Sequence, residues 1–415
     1  MSGRTLRLGR FDYAIFAAFL AYSLCSLSIP LELVAMGNEL DFPLDGGGMA
    51  AGGSLHLVRS LAIMFVLLAC GFIAARFGKR RSMGWSMILT GAGLLCCAVA
   101  PAYGWLLPAL IVAGCGEGVC EGIGTPFVQD LHRDEPERYV SIAHSAWSIG
   151  IGLTVLLAGI LALLGVSWRI MLGIAGLFAL GAAPLFLWRS RPGHEYPECG
   201  GGDDLASLLR KSGAIVRTPR FWVYCMGMFL CAGAEFCLPF WSAAYLQLDF
   251  KIGAWAAGLG TGAVALGMFA GRLGFGYFAS KPRLKHLLLG CGLANIPVTA
   301  MLALLRPDTF AAPWMLYAAL LALLVLGGVC IGPYWPTLQV YGAENLKELD
   351  TTLLYIYFSA VGVPGCGFFS WLMGFIGDRC GLAGAFFTIP ATLVGFCLIV
   401  FLEGWVFPRR NSRVS

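Results

Sequence analysis

Charge is what this chain of 415 residues has least of. Lys, Arg, Asp and Glu together make up 12% of it, about half the share of an ordinary soluble domain, so a large water-exposed globule is excluded. Histidine is sparse too. The five residues His56, His132, His144, His194 and His286 show no ligand spacing, such as two on one helical face, which argues against a metal-dependent enzyme. No phosphate-cradling glycine loop followed by Lys and Ser or Thr is present, which argues against ATP-driven pumping. Long polar stretches are missing as well. The longest, residues 189–219, is too short for the soluble output domain of a receptor. Asn-any-Ser/Thr acceptors are absent, which suits a prokaryotic membrane. Cysteine is not scarce, with fifteen residues. Nearly all fall within apolar runs, where thiols serve as small fillers and not as a disulfide or zinc framework.

Apolar residues fill the space that charge leaves, at 58% of the chain with a mean hydropathy of +0.78. Twelve apolar runs lie near 12–36, 50–75, 83–103, 105–129, 139–164, 168–188, 220–246, 254–279, 285–305, 312–340, 350–376 and 382–404. Each is long enough to cross a hydrocarbon core of roughly 30 Å as a helix. The first run lacks a small-residue cleavage site, so no removable signal peptide is expected. With the N-terminus in the cytoplasm, the cytoplasmic segments hold 22 of the 28 Lys and Arg residues. The opposite loops hold only Arg169, Lys251, Arg306 and Arg379, while Arg59 and Arg272 lie inside runs. This is the positive-inside bias, and it puts both termini in the cytoplasm. The net charge of +5 therefore reports topology and implies no nucleic-acid partner.

The polar stretch divides the runs six and six, and the two sides repeat. "GVCEGIGTPFVQ" (118–129) returns 210 residues later as "GVCIGPYWPTLQ" (328–339), and Arg169 returns as Arg379. "GFIAARFGKR" (71–80) returns 205 residues later as "GYFASKPRLK" (276–285). The expected fold is an all-α membrane protein of twelve transmembrane helices in two pseudo-symmetric six-helix halves. The halves are 1–188 and 220–415, joined by a cytoplasmic linker at 189–219. Halves of this kind suit alternating access to a site at their interface.

The 71–80 segment resembles the signature of the major facilitator superfamily, with Gly71, Ala74, Arg76, Gly78, Lys79 and Arg80 in place and Ala75 where the family has an acid. Ala75 has Ser280 as its counterpart in the second half. A narrower resemblance is to the fucose permease type of sugar:proton symporter. It rests on Gly116, Gly118, Glu121, Pro126, Phe127 and Val128 in the fourth helix. "SIAHSAWSIG" (141–150), "GAEFCLPFWSAAYL" (233–246), "YWPTLQVYGAENL" (334–346) and "MGFIGDRCG" (373–381) extend it across both halves. Ser26 stands where those permeases have an Asp, Thr125 where they have an Asn, and His144 and Trp147 where they have a polar pair. The resemblance implies a carrier, not an enzyme. It would move a small polar solute, a sugar or sugar derivative, with protons, without a cofactor, as a monomer in the cytoplasmic membrane. Sodium coupling and an organic-anion or drug carrier of the same fold stay open.

A charge near the bilayer centre costs roughly 2.5–3.5 kcal/mol on insertion scales, so ionisable residues in the spans are the natural functional candidates. Glu121 matches the coupling acid of the resemblance, and its repeat partner is the apolar Ile331. Glu117 lies one turn away on the same face, where two acids in low dielectric disfavour double ionisation. Glu235 in the seventh helix is the third candidate for proton coupling. For the solute the candidates are His144, Trp147, Arg59, Gln339, Trp241, Tyr245 and Trp335. Arg59, with His56 one turn away, either meets a substrate carboxylate or pairs with Glu32 or Glu117. Arg272 reads as structural. Aromatic residues at helical spacing are more often packing than ring-stacking sites, and that reading stands beside the solute one.

Overall fold

A computed structural model describes residues 8–189, 195–197, 205–278 and 284–407, and among them every long element is helical. The helices are α1 (Arg10–Glu39), α2 (Met49–Phe77), α3 (Lys79–Ala98), α4 (Tyr103–Leu131), α5 (Pro136–Leu163), α6 (Trp168–Leu187) and α7 (Leu205–Val216). They continue with α8 (Pro219–Leu248), α9 (Ala254–Phe278), α10 (Leu284–Leu304), α11 (Pro313–Ile331), α12 (Tyr334–Asn345), α13 (Thr351–Ala385) and α14 (Thr388–Val406). Eleven stretches among the described residues are long and apolar enough to span a membrane, with α11 and α12 counted as one. The basic start of α3, "KRR", keeps that 20-residue helix out of this set, and with it the described residues hold twelve long apolar segments, as expected. Ser280 and most of the first half of the 189–219 stretch lie outside the described residues. The second half of that stretch contributes α7, which Lys211 ties to Asp350 at 3.0 Å.

The chain forms two compact units: residues 1–36 with 61–203, and residues 37–60 with 204–415. The first unit is built on close helix approaches that only glycine permits. A side chain at Gly91 would strike Gly176 O of α6, one at Gly93 would strike Ala109 O of α4, and one at Gly116 would strike Ser86 O of α3. In an apolar solvent, small residues at such crossings replace the hydrophobic drive with close packing and backbone contact. At one end Arg10 donates to Leu185 O (3.0 Å), Pro184 O (3.2 Å) and Trp188 O (3.0 Å), capping the carbonyls at the end of α6. Arg169 does the same for Ala98 O and Ala100 O after α3. Tyr196 stacks on Phe127 with ring centroids 4.3 Å apart, and its hydroxyl donates to Asp130 and to Phe127 O.

The second unit repeats the glycine logic. Gly118 of α4 abuts Ile63 O of α2 in the first unit, and its repeat partner Gly328 of α11 abuts Met268 and Gly267 of α9. The two offsets seen in the sequence, 210 and 205, are thus the offsets of the α4/α11 and α2/α9 partners of one repeated crossing. The start of α2 also packs in this unit. Asp378 of α13 accepts hydrogen bonds from the Met49 and Ala50 amides at 2.8 and 2.9 Å, a carboxylate on the positive end of a helix. Gly53 and Gly374 let the two helices close on each other there.

Two spans differ from the sequence expectation. The run 312–340 reads as one helix, but the structure ends α11 at Ile331 and restarts at Tyr334. Pro333 and Pro336 remove two amide donors within one turn, which interrupts the hydrogen-bond ladder. Gly332 and Pro333 keep right-handed helical backbone angles, and the two helices remain one span. Its counterpart α4 carries only Pro126 in that segment and runs through. The last long span continues past 376 to Ala385 as two helices joined at Gly381, whose φ of 74° is left-handed.

Glu403, near the end of α14, is 2% exposed. It is held by Arg220 (Nε, 2.8 Å), Tyr224 (2.6 Å) and Tyr341 (2.7 Å). A buried ion pair is costly to break from one side, by about 3–5 kcal/mol, because the other charge is left uncompensated. Replacing Arg220 with Met should therefore lower the melting temperature of the purified protein in detergent by far more than Arg220→Lys. Equal melting curves for the parent and the Met variant would show that the network carries no stability.

Candidate functional site

In the first unit the candidate acids lie on α4, whose glycines draw the neighbouring helices onto it. Gly118 touches Ile63 and Val66, and Gly122 touches Cys70 and Leu67, all on α2. Glu117 is 1% exposed, and the Cys25 thiol of α1 donates to its Oε1 at 2.6 Å. Glu121, one turn on, is half-buried. One turn further, Thr125 hydrogen-bonds His144 of α5, Oγ1 to Nε2 at 3.0 Å. His144 is largely exposed and packs on the Phe19 ring at 4.6 Å. Glu117, Glu121 and Thr125 thus form one polar stripe along α4, met by α1 at one end and by α5 at the other. Trp147, one turn past His144, is half-buried.

The second unit holds the remaining candidates. Arg59 is 5% exposed. Three residues before it, His56 bonds Ser370 (Nδ1 to Oγ, 3.0 Å) and stacks on Phe240 with rings 4.9 Å apart and 9° from parallel. Glu235 forms an ion pair with Arg272 at 3.0 Å, so each is the other's counter-charge. Trp335 meets Phe236 edge to face. Gln339 donates to Ser359 Oγ at 2.9 Å. Trp241 and Tyr245 are fully buried. The Trp241 indole donates to Ser370 O and the Tyr245 hydroxyl to Leu302 O, so both are tied into helix packing. The described residues contain no group of three or more His, Cys, Asp or Glu side chains fit to hold a metal ion.

Sequence reasoning missed Cys25, the link between Thr125 and His144, and the Glu403 network. The first two depend on which faces of α1, α4 and α5 meet, which no local pattern encodes. Glu403 was visible in principle as a lone carboxylate among "FCLIVFLEGWVF".

The sequence of residues 14–358 matches the Major Facilitator Superfamily. The chain belongs to that superfamily. This major facilitator is a multi-pass membrane transporter and not an enzyme. Its fold is similar to that of the nucleoside transporter NupG, at 13% identity over 96% of this chain and 99% of that one with a TM-score of 0.73. It is also similar to a D-xylose-proton symporter, at 14% identity over 96% and 97% with a TM-score of 0.72. The E. coli fucose:proton symporter FucP shares the fold at 16% identity over 94% and 98%, with a TM-score of 0.63. A Haemophilus influenzae protein named for metabolite transport is 29% identical over 154 residues, which is 36% of this chain and 35% of that protein.

The Cys25 contact gives this major facilitator a direct test of the stripe. Replacing Cys25 with Val removes the donor and leaves a buried acceptor short of one bond, a loss of about 1–3 kcal/mol, whereas Cys25→Ser keeps a donor. Thermal melts should rank the parent and Ser above Val. A Val variant as stable as the parent would mean that the thiol does not support Glu117.

Proposed function

We propose that this transporter carries a small polar solute, a sugar or sugar derivative, in symport with protons across the cytoplasmic membrane, with both termini on the cytoplasmic side. The α4 stripe carries the reading. It places a half-buried carboxylate, Glu121, between a buried one, Glu117, and a Thr125–His144 pair whose histidine is open. A proton carrier must load and unload, and a half-buried acid beside a second acid in low dielectric is suited to that. Glu121 is the carrier, Glu117 its electrostatic neighbour and Glu235 the secondary acid.

His144 and Trp147 are the solute contacts on the first half. Arg59 is also on the first half, and Gln339 and Trp335 are those on the second. Trp241 and Tyr245, which have their polar atoms satisfied and no exposed face, act through packing. The repeat of the halves 1–188 and 220–415 suits alternating access, in which the solute site faces each side in turn. The substrates for which the proteins of similar fold are named, a nucleoside, xylose and fucose, are consistent with a polar, ring-shaped solute. An anionic sugar derivative fits where Arg59 reaches the solute, and a neutral one where it pairs within the protein.

A proton moving down the membrane potential supplies about 2.3 kcal/mol per 100 mV. Glu121→Gln keeps the shape of the protonated acid but cannot release a proton. In liposomes it should still exchange labelled for unlabelled solute while losing uphill uptake driven by an imposed pH gradient. Uphill accumulation equal to the parent's would remove Glu121 from coupling. For the solute site, His144→Ala and Trp147→Ala should each weaken binding while leaving folding intact. Unchanged affinity in both would take α5 out of the site.

A further inference from the structure

The break between α11 and α12 is served by groups from other helices. In an uninterrupted helix the Gly332 carbonyl accepts from the amide four residues on, but that residue is Pro336 and has no N–H. The side chain of Arg272 takes the vacant place, with Nε donating to Gly332 O at 3.1 Å. Arg272 reaches this point by construction. Gly267 and Gly271 of α9 lie against Val325 O and Val329 O of α11, and Gly332 lies against Met268 O, all too close for any side chain. The arginine that follows Gly271 therefore emerges beside the break.

The other end of Arg272 is an electrostatic one. Its Nη2 donates to Glu235 Oε1 at 3.0 Å, and the Glu235 side chain is 2% exposed. The second carboxylate oxygen, Oε2, is buried without a hydrogen-bond partner. The carboxyl also faces the backbone amide of Trp335, in the first turn of α12, where the helix end favours an anion. The titratable groups around it are Arg272 on α9, Cys231 on its own helix and Cys366 on α13. A fully buried structural carboxylate in this same unit, Glu403, has both oxygens bonded. Glu235 leaves one unused at the point where a helix is broken.

We propose that Glu235 and Arg272 are positioning residues that clamp the Gly332–Pro333 hinge, and that the charge on Glu235 sets how tightly the clamp holds. With Glu235 ionised, Arg272 is neutralised and held by a charge-assisted bond, and its Nε stays on the Gly332 carbonyl. With Glu235 neutral the ion pair is lost and only a hydrogen bond to an uncharged acceptor tethers the guanidinium, so the carbonyl's donor is less firmly fixed and α12 is freed to swing against α11. The hinge is thus where a protonation event in the second half becomes a change of helix direction. The inference rests on the chain being a transporter but on no particular solute, so it is tested without one.

Hydrogen–deuterium exchange of the purified protein reads the hinge directly. Glu235→Gln, which mimics the neutral acid, should speed uptake in residues 332–338 about tenfold, the equivalent of one net hydrogen bond. Uptake in α10 and α14 should not change. Arg272→Lys should do the same, because an ammonium cannot reach the carbonyl and the carboxylate in one planar fork. In the parent, uptake at 332–338, corrected for the intrinsic rate, should rise as pH falls, and in Glu235→Gln that rise should vanish. A Glu235→Gln protein that melts like the parent and exchanges at the parent's rate in 332–338 would overturn the clamp. So would a pH response that persists in that variant. Global loosening in Glu235→Gln, with α10 and α14 exchanging faster too, would equally overturn it and leave the pair a general fold stabiliser.

Discussion

A carboxylate inside an apolar helix bundle must be bonded, paired or neutral, and this one requirement orders most of what is distinctive here. Three buried acids meet it in different ways. Glu403 is fully served by Arg220, Tyr224 and Tyr341, which is how a structural carboxylate looks. Glu117 accepts a thiol hydrogen bond from Cys25, a weaker donor than a hydroxyl or a guanidinium. Glu235 has one oxygen on Arg272 and one without a partner.

What allows these acids to meet their partners is backbone packing. Glycines at 116, 118 and 122 bring α2 and α3 onto α4, and glycines at 267, 271, 328 and 332 bring α9 onto α11. The same crossing is used twice, and the two copies diverge in chemistry. In the first half it presents Glu117 and Glu121 on an unbroken helix. In the second, the position matching Glu121 is Ile331, the last residue of α11 before the break. One copy has become a carboxylate stripe and the other a hinge.

The architecture was legible in the sequence because membrane helices announce themselves by length and apolarity, and because the repeat survives at fixed offsets. The break at Gly332–Pro333 was not read, although both prolines are in plain view, since the apolar run continues across it and length alone assigns one span. Acidic candidates were legible for an energetic reason: carboxylates are rare in such segments. Their partners were not. Cys25, His144 and Arg272 reach Glu117, Thr125 and Glu235 across distances of 92, 19 and 37 residues in sequence, and only the rotation of each helix about its axis decides which of its faces makes the contact. Trp241 and Tyr245 show the same limit. Their spacing allows either ring stacking or core packing, and burial alone separates the two.

Proton coupling is the central claim, and solute-driven proton movement is its most direct measurement. Proteoliposomes in weakly buffered medium are given a panel of sugars and sugar acids, and the external pH is followed with an electrode while uptake of labelled solute is recorded in parallel. The account predicts that a solute which enters will make the medium more alkaline, in step with its uptake and at a fixed ratio, and that a proton ionophore will abolish the signal. Entry of the solute with no change in external pH, or with acidification, would contradict it.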